Sequence, residues 1–232
     1  MLELDVFTLF PHWFAWLSEE RAVQNSLGSA ASLRLLSLRD FSPLRHAQVD
    51  DAPFGGGAGM LLRVDVMVAA LEGAYGVPLD EVRAGRRIVA LDPGGRPFDD
   101  AYARELAAAP RVTLLCGRYE GFDGRILEHV ATESLSLGPF VLSGGEPAAM
   151  AVVDAIFRLL PGALGDDASS DEESFSPKLE GHLEYPHYTR PEDFRGWRVP
   201  DILLSGHHAR IAEWRREQAR SRRPDDRGAA LG

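Results

Sequence analysis

The chain has 232 residues, 45% hydrophobic and 26% charged, an ordinary globular composition with enough length for a buried core. Its net charge of −10 speaks against broad phosphate binding, and the single cysteine, Cys116, rules out an internal disulfide and fits a reducing cytoplasm. No apolar run approaches the roughly 18 residues of a membrane span, and the start "MLELDVFTLFPHWF" lacks the basic region of an export signal, so a cytoplasmic protein without a membrane partner is expected.

In chain order, residues 2–10 read as a strand, 12–24 as a helix and 32–38 as a second strand. A helical pattern at 62–74 is followed by a strand at 86–92, a helix at 99–108 and a strand at 111–117. The run "FVLSGG" (140–145) reads as a last strand, and 147–160 as a helix. Strands alternating with helices predict an α/β fold with a parallel sheet, helices on both faces, over residues 1–160. Residues 161–186 begin small, acidic and nonperiodic and read as a flexible linker, expected to be disordered without a ligand. Residues 187–232 form a further region with a helix at about 207–221 and a frayed tail. That last helix concentrates Arg210, Arg215, Arg216 and Arg220, so an acidic chain carries a basic end suited to RNA; a solvated face is the plainer alternative.

Several loops are rich in glycine. "FGGGAGM" (54–60) matches neither a P-loop nor G-x-G-x-x-G, which leaves a flexible turn or a phosphate cradle. "LDPGG", "CGRYEG" and "LSGGE" each place glycine just beyond an apolar strand. In a parallel sheet such ends converge, and bare backbone there admits a flat ring such as adenine. Cys116, at a strand end, reads as packing rather than as a nucleophile. Adjacent His207 and His208 point in different directions on a helix start and make a poor metal site, so no metal ligands are assigned.

The stretches "CGRYEGFDGR", "VLSGGEPAAM", "VDDAPFGGGAGM", "YPHYTRP" and "LLSGHHARIAEWRREQ" resemble the bacterial tRNA (guanine-N1)-methyltransferases, the TrmD family, over nearly the whole chain. The resemblance implies a SPOUT-type α/β fold whose parallel sheet ends in a trefoil knot, followed by a small helical C-terminal domain that grips tRNA. It implies a homodimer with the active site at the dimer interface and S-adenosylmethionine as methyl donor, with Mg²⁺ promoting turnover. The implied reaction methylates N1 of guanosine 37 in tRNA. The alternative is a non-catalytic RNA- or S-adenosylmethionine-binding relative of the same fold.

Residue by residue, the resemblance puts the general base at Glu173, where the family has aspartate, with Asp171 as a fallback, and a catalytic arginine at Arg158. Leu91, Pro93, Gly117, Leu137, Gly138, Phe140, Leu142, Gly144 and Gly145 match cofactor positions, the last two clearing room for the adenosyl group. Glu120 matches a contact to the target guanine. His187, Arg190 and Arg215 match the RNA-facing region, where Tyr188 is a packed aromatic or a stacking one. Ala90, Asp92, Pro147 and Ala148 depart from the family pattern.

Overall fold

The computed structural model describes residues 1–164, 173–176 and 179–222. Chain contacts divide the protein into two compact units, Met1–Gly165 and Asp166–Gly232. Asp171 and residues 165–172 and 177–178 of the acidic stretch, expected to be disordered, lie outside the described residues, as does the tail from 223.

The first unit contains strands β1 (Leu2–Thr8), β2 (Ala31–Ser37), β3 (Asp50–Asp51), β4 (Leu61–Leu62), β5 (Arg87–Pro97), β6 (Arg111–Cys116) and β7 (Glu133–Ser136). Five of them form one parallel sheet in the order β2-β1-β6-β5-β7, while β3 and β4 pair separately as an antiparallel ribbon. Its helices are α1 (Arg21–Ser26), α2 (Val64–Tyr75), α3 (Leu79–Gly85), α4 (Asp100–Ala107) and α5 (Glu146–Arg158).

Successive strand residues face opposite sides of the sheet, and both sides are buried. Leu4, Val6, Val89, Leu91, Val112 and Leu114 join the layer of Val23, Leu106, Val153 and Phe157, which come from α1, α4 and α5. Phe7, Ile88, Ala90 and Leu115 join the other, with Met67 and Leu71 of α2 and Val82 of α3. Burying each such leucine or valine contributes about 1.5–3 kcal/mol. Asp5 interrupts this alternation inside β1. Arg34 meets its buried carboxylate at 2.7 and 2.8 Å, Arg86 at 2.6 Å and the Tyr75 hydroxyl at 2.8 Å, so the charge is fully paired.

Three sequence expectations need correction. Residues 140–145 form no strand, and Val141 is 86% exposed; the fifth sheet strand is the shorter, more polar β7. The predicted helix at 12–24 is a 3-10 helix, Pro11–Ser18, followed after a break by α1. The strand expected to end at 92 runs on to Pro97 after a bulge.

The second unit, described by itself, has a short hairpin of β8 (Asp193–Phe194) and β9 (Trp197–Arg198), then α6 (Asp201–Leu204) and α7 (His208–Ser221). On α7, the Arg215 guanidinium lies 4.7 Å over the Tyr185 ring.

Candidate active site

Because their strands run parallel, β5, β6 and β7 deliver their carboxyl ends to one edge of the sheet, where ligands of open α/β sheets sit. A cavity of about 140 Å³ opens there. Pairing of β5 with β7 stops at Leu91 and resumes at Arg96, both opposite Leu135. The intervening bulge brings Asp92 and Pro93 to the cavity wall.

After β6 the turn from Gly117 to Phe122 forms a second wall. It is stitched to the glycine-rich loop: Glu120 N donates to Met60 O at 3.0 Å, and Leu62 N donates to Gly121 O at 2.9 Å. Gly59, at φ +85°, rests against the Glu120 side chain so closely that any Cβ would overlap it. The "FGGGAGM" loop is therefore a backing for Glu120.

The third wall follows β7 and ends where α5 begins. Gly145 N donates to Gly117 O at 2.7 Å, and a Cβ on Gly145 would stand 2.8 Å from Cys116 Cα. A Cβ on Gly144 would overlap Arg118. The paired glycines thus let the start of α5 close against the end of β6, as well as lining the cavity. Pro147 suits the first helical turn, where no N–H is needed.

Behind the wall, Glu146 is fully buried. Its two oxygens accept from Arg118 Nε at 2.9 Å and Thr8 Oγ1 at 2.8 Å, while Arg118 Nη1 donates to Ser143 O at 3.1 Å. The Arg118 guanidinium also lies 4.5 Å over the Phe10 ring and 4.6 Å over Trp13. Burial, with the nearby Glu146 charge, pushes the Cys116 thiol well above its ordinary range, which leaves it neutral and unsuited to nucleophilic work.

All nine residues matched to cofactor positions line this one cavity, together with Glu120. Their apolar side chains and bare glycine backbone suit a flat ring, and Asp92 and Glu120 suit a cationic centre. Arg158 is not among the lining residues. It is exposed at the last position of α5, and the ten steps to it from Ala148, which lines the cavity, span about 15 Å at the helical rise. Glu173, His187, Arg190 and Arg215 belong to the second unit. There Glu173 O accepts from Ser176 N, His187 pairs with Glu184 at 3.2 Å, Arg190 is exposed, and Arg215 covers Tyr185. Among the described residues no group of three or more His, Cys, Asp or Glu is placed to hold a metal ion, and no helix is long and apolar enough to cross a membrane.

Sequence reasoning missed Arg118 and Glu146 as a pair. An arginine inside a glycine-bounded turn and an acid directly after two glycines were the available signals.

The profile of the family described as tRNA (Guanine-1)-methyltransferase TrmD matches residues 2–229. A tRNA (guanine-N(1)-)-methyltransferase of Dehalococcoides mccartyi (strain CBDB1) is 48% identical over 232 residues, covering 97% of this chain and 90% of its own. The enzyme of that name from Gloeobacter violaceus is 46% identical, covering 97% of each chain. That from Sorangium cellulosum is 49% identical, covering 97% of this chain and 92% of its own. With a profile match and near-complete relatives at this identity, the chain belongs to the TrmD family of tRNA (guanine-1)-methyltransferases.

Proposed function

We propose that this protein transfers the methyl group of S-adenosylmethionine to N1 of guanosine 37 in tRNA. The observation that supports the reading most strongly is the convergence of Glu120 and the nine cofactor-matched residues on one cavity at the carboxyl edge of the sheet. Leu91, Leu137, Phe140 and Leu142 would hold the adenine ring, and Gly117, Gly138, Gly144 and Gly145 would let it lie against bare backbone. Bound there, S-adenosylmethionine supplies a methyl group made electrophilic by its sulfonium.

Glu120 accepts a hydrogen bond from the exocyclic amino group of guanine, which adenine does not present at that edge. Glu173 takes the proton that N1 loses, and Arg158 offsets the negative charge that develops on the base. His187, Arg190 and Arg215 hold the tRNA, the arginines through its phosphates. Arg158 stands about 15 Å along α5 from Ala148, which lines the cavity of its own chain, so it serves the cavity of a second copy. The working protein is then a homodimer with its active sites at the interface, acting in the cytoplasm. On the same reading the segment after β7 belongs to a knotted backbone, and the second unit is the tRNA-gripping domain.

The test is methylation of a tRNA transcript carrying guanosine 37, beside the same transcript with adenosine there, read by mass analysis of the nucleosides. The expected result is 1-methylguanosine from the first transcript alone, with Glu173→Gln abolishing turnover while S-adenosylmethionine still binds. Wild-type protein that binds S-adenosylmethionine and tRNA but leaves guanosine 37 unmodified would establish the non-catalytic alternative.

A further inference from the structure

We propose that Asp92 makes the cavity choose its occupant by charge, holding the cationic sulfonium donor more tightly than the neutral thioether that methyl transfer leaves behind. The inference rests on the reading of this cavity as the methyl-donor site.

The charged side chains at the cavity wall are Asp92, Arg118 and Glu120. Arg118 is committed to the buried carboxylate of Glu146 at 2.9 Å, so that pair adds little net charge. Neither Asp92 nor Glu120 forms an ion pair with a cation among the described residues. The cavity therefore carries two uncompensated carboxylates.

Asp92 is held in place for this task. It sits on the bulge where β5 leaves its pairing with β7, and its Oδ1 accepts from Gly94 N at 2.8 Å. The anchored carboxylate keeps its second oxygen for a ligand. S-adenosylmethionine is a net cation because of its sulfonium, whereas S-adenosylhomocysteine is net neutral. A fixed negative charge at the wall attracts the first and has little Coulombic hold on the second. Methyl transfer thus removes the charge that the wall retains, and the spent product is released more readily.

Asp92→Asn removes the charge and keeps both the shape and the acceptor for Gly94 N–H. Binding of S-adenosylmethionine and S-adenosylhomocysteine is measured by calorimetry, without tRNA, on the wild-type protein and on this variant. The expected result is that affinity for S-adenosylmethionine falls roughly fivefold while that for S-adenosylhomocysteine stays within about twofold. An unchanged ratio of the two affinities, whether both hold or both fall together, would overturn the role of Asp92. A wild-type protein that binds neither ligand would overturn the methyl-donor reading itself.

Discussion

Arg118 and Glu146 form one ion pair, Nε to Oε2 at 2.9 Å, that joins the end of β6 to the first residue of α5. Thr8 at the end of β1 donates to the other carboxylate oxygen. A single fully buried carboxylate therefore gathers three elements at the edge of the sheet that carries the cavity. The Phe10 and Trp13 rings beneath Arg118 are themselves stacked at 4.9 Å, so the guanidinium sits on a firm apolar platform.

Replacing Arg118 with methionine strands the Glu146 charge in the interior, and a loss of about 3–5 kcal/mol is expected. Arg118→Lys keeps the charge but loses the planar fork and the stacking on Phe10 and Trp13, so its loss should be intermediate. The double variant Arg118→Met with Glu146→Gln removes the stranded charge and should cost less than the two single losses added together. Urea unfolding of the wild type, Arg118→Met, Arg118→Lys, Glu146→Gln and the double variant checks this, and strictly additive losses would show that the pair is not coupled.

The sequence made the layered α/β fold legible because a parallel sheet covered on both faces leaves continuous apolar runs such as "RIVAL" and "VTLLC". It made the cavity legible through glycines that follow such runs. What it concealed has a physical cause in each case. Phe140, Val141 and Leu142 look like a strand because they are apolar, yet they are exposed along the cavity rim, and periodicity alone does not say what covers an apolar residue. Strand β7 is only four residues, "ESLS", and its polar members are spent on pairing: Glu133 holds Arg87 at 2.7 Å. Arg118 and Glu146 are 28 positions apart, so nothing local announces their bond. The separation of Arg158 from the cavity depends on the length and placement of α5 rather than on any motif.

Cys116 offers a readout that depends on pH. Burial first, and the Glu146 charge second, raise its thiol pKa in the folded protein. In the unfolded chain the thiol titrates near its ordinary value, about 8.5. As pH climbs past that value the unfolded state loses its proton first, so stability present below about pH 8.5 declines above it, by about 1.4 kcal/mol per pH unit while the folded thiol stays protonated. Tyr75 and Tyr102, whose hydroxyls are also pushed up by burial, start from an ordinary value near 10, so the window just above 8.5 belongs to the cysteine. Urea midpoints across this range should fall for the wild-type protein and flatten for Cys116→Ala, and iodoacetamide should modify the thiol only after unfolding. Rapid alkylation of the native protein would contradict the burial.

The distance between Arg158 and its own cavity leads to a complementation experiment. Arg158→Ala leaves the cavity wall intact, whereas Glu120→Ala removes the proposed guanine acceptor and leaves Arg158 intact, so on the proposed homodimer each variant alone should be inactive. In a mixed dimer, the undamaged cavity of the Arg158→Ala chain meets the intact Arg158 of its partner, while the opposite site carries both defects. Random mixing makes half of the dimers mixed, and each has one complete site, so about a quarter of wild-type activity should return when the two variants are co-refolded in equal amounts. If Arg158 acted within its own chain, every site in the mixture would keep at least one defect. Activity no higher than that of the separate variants, with mixed dimers demonstrated by differential tagging, would place Arg158 outside the partner's site.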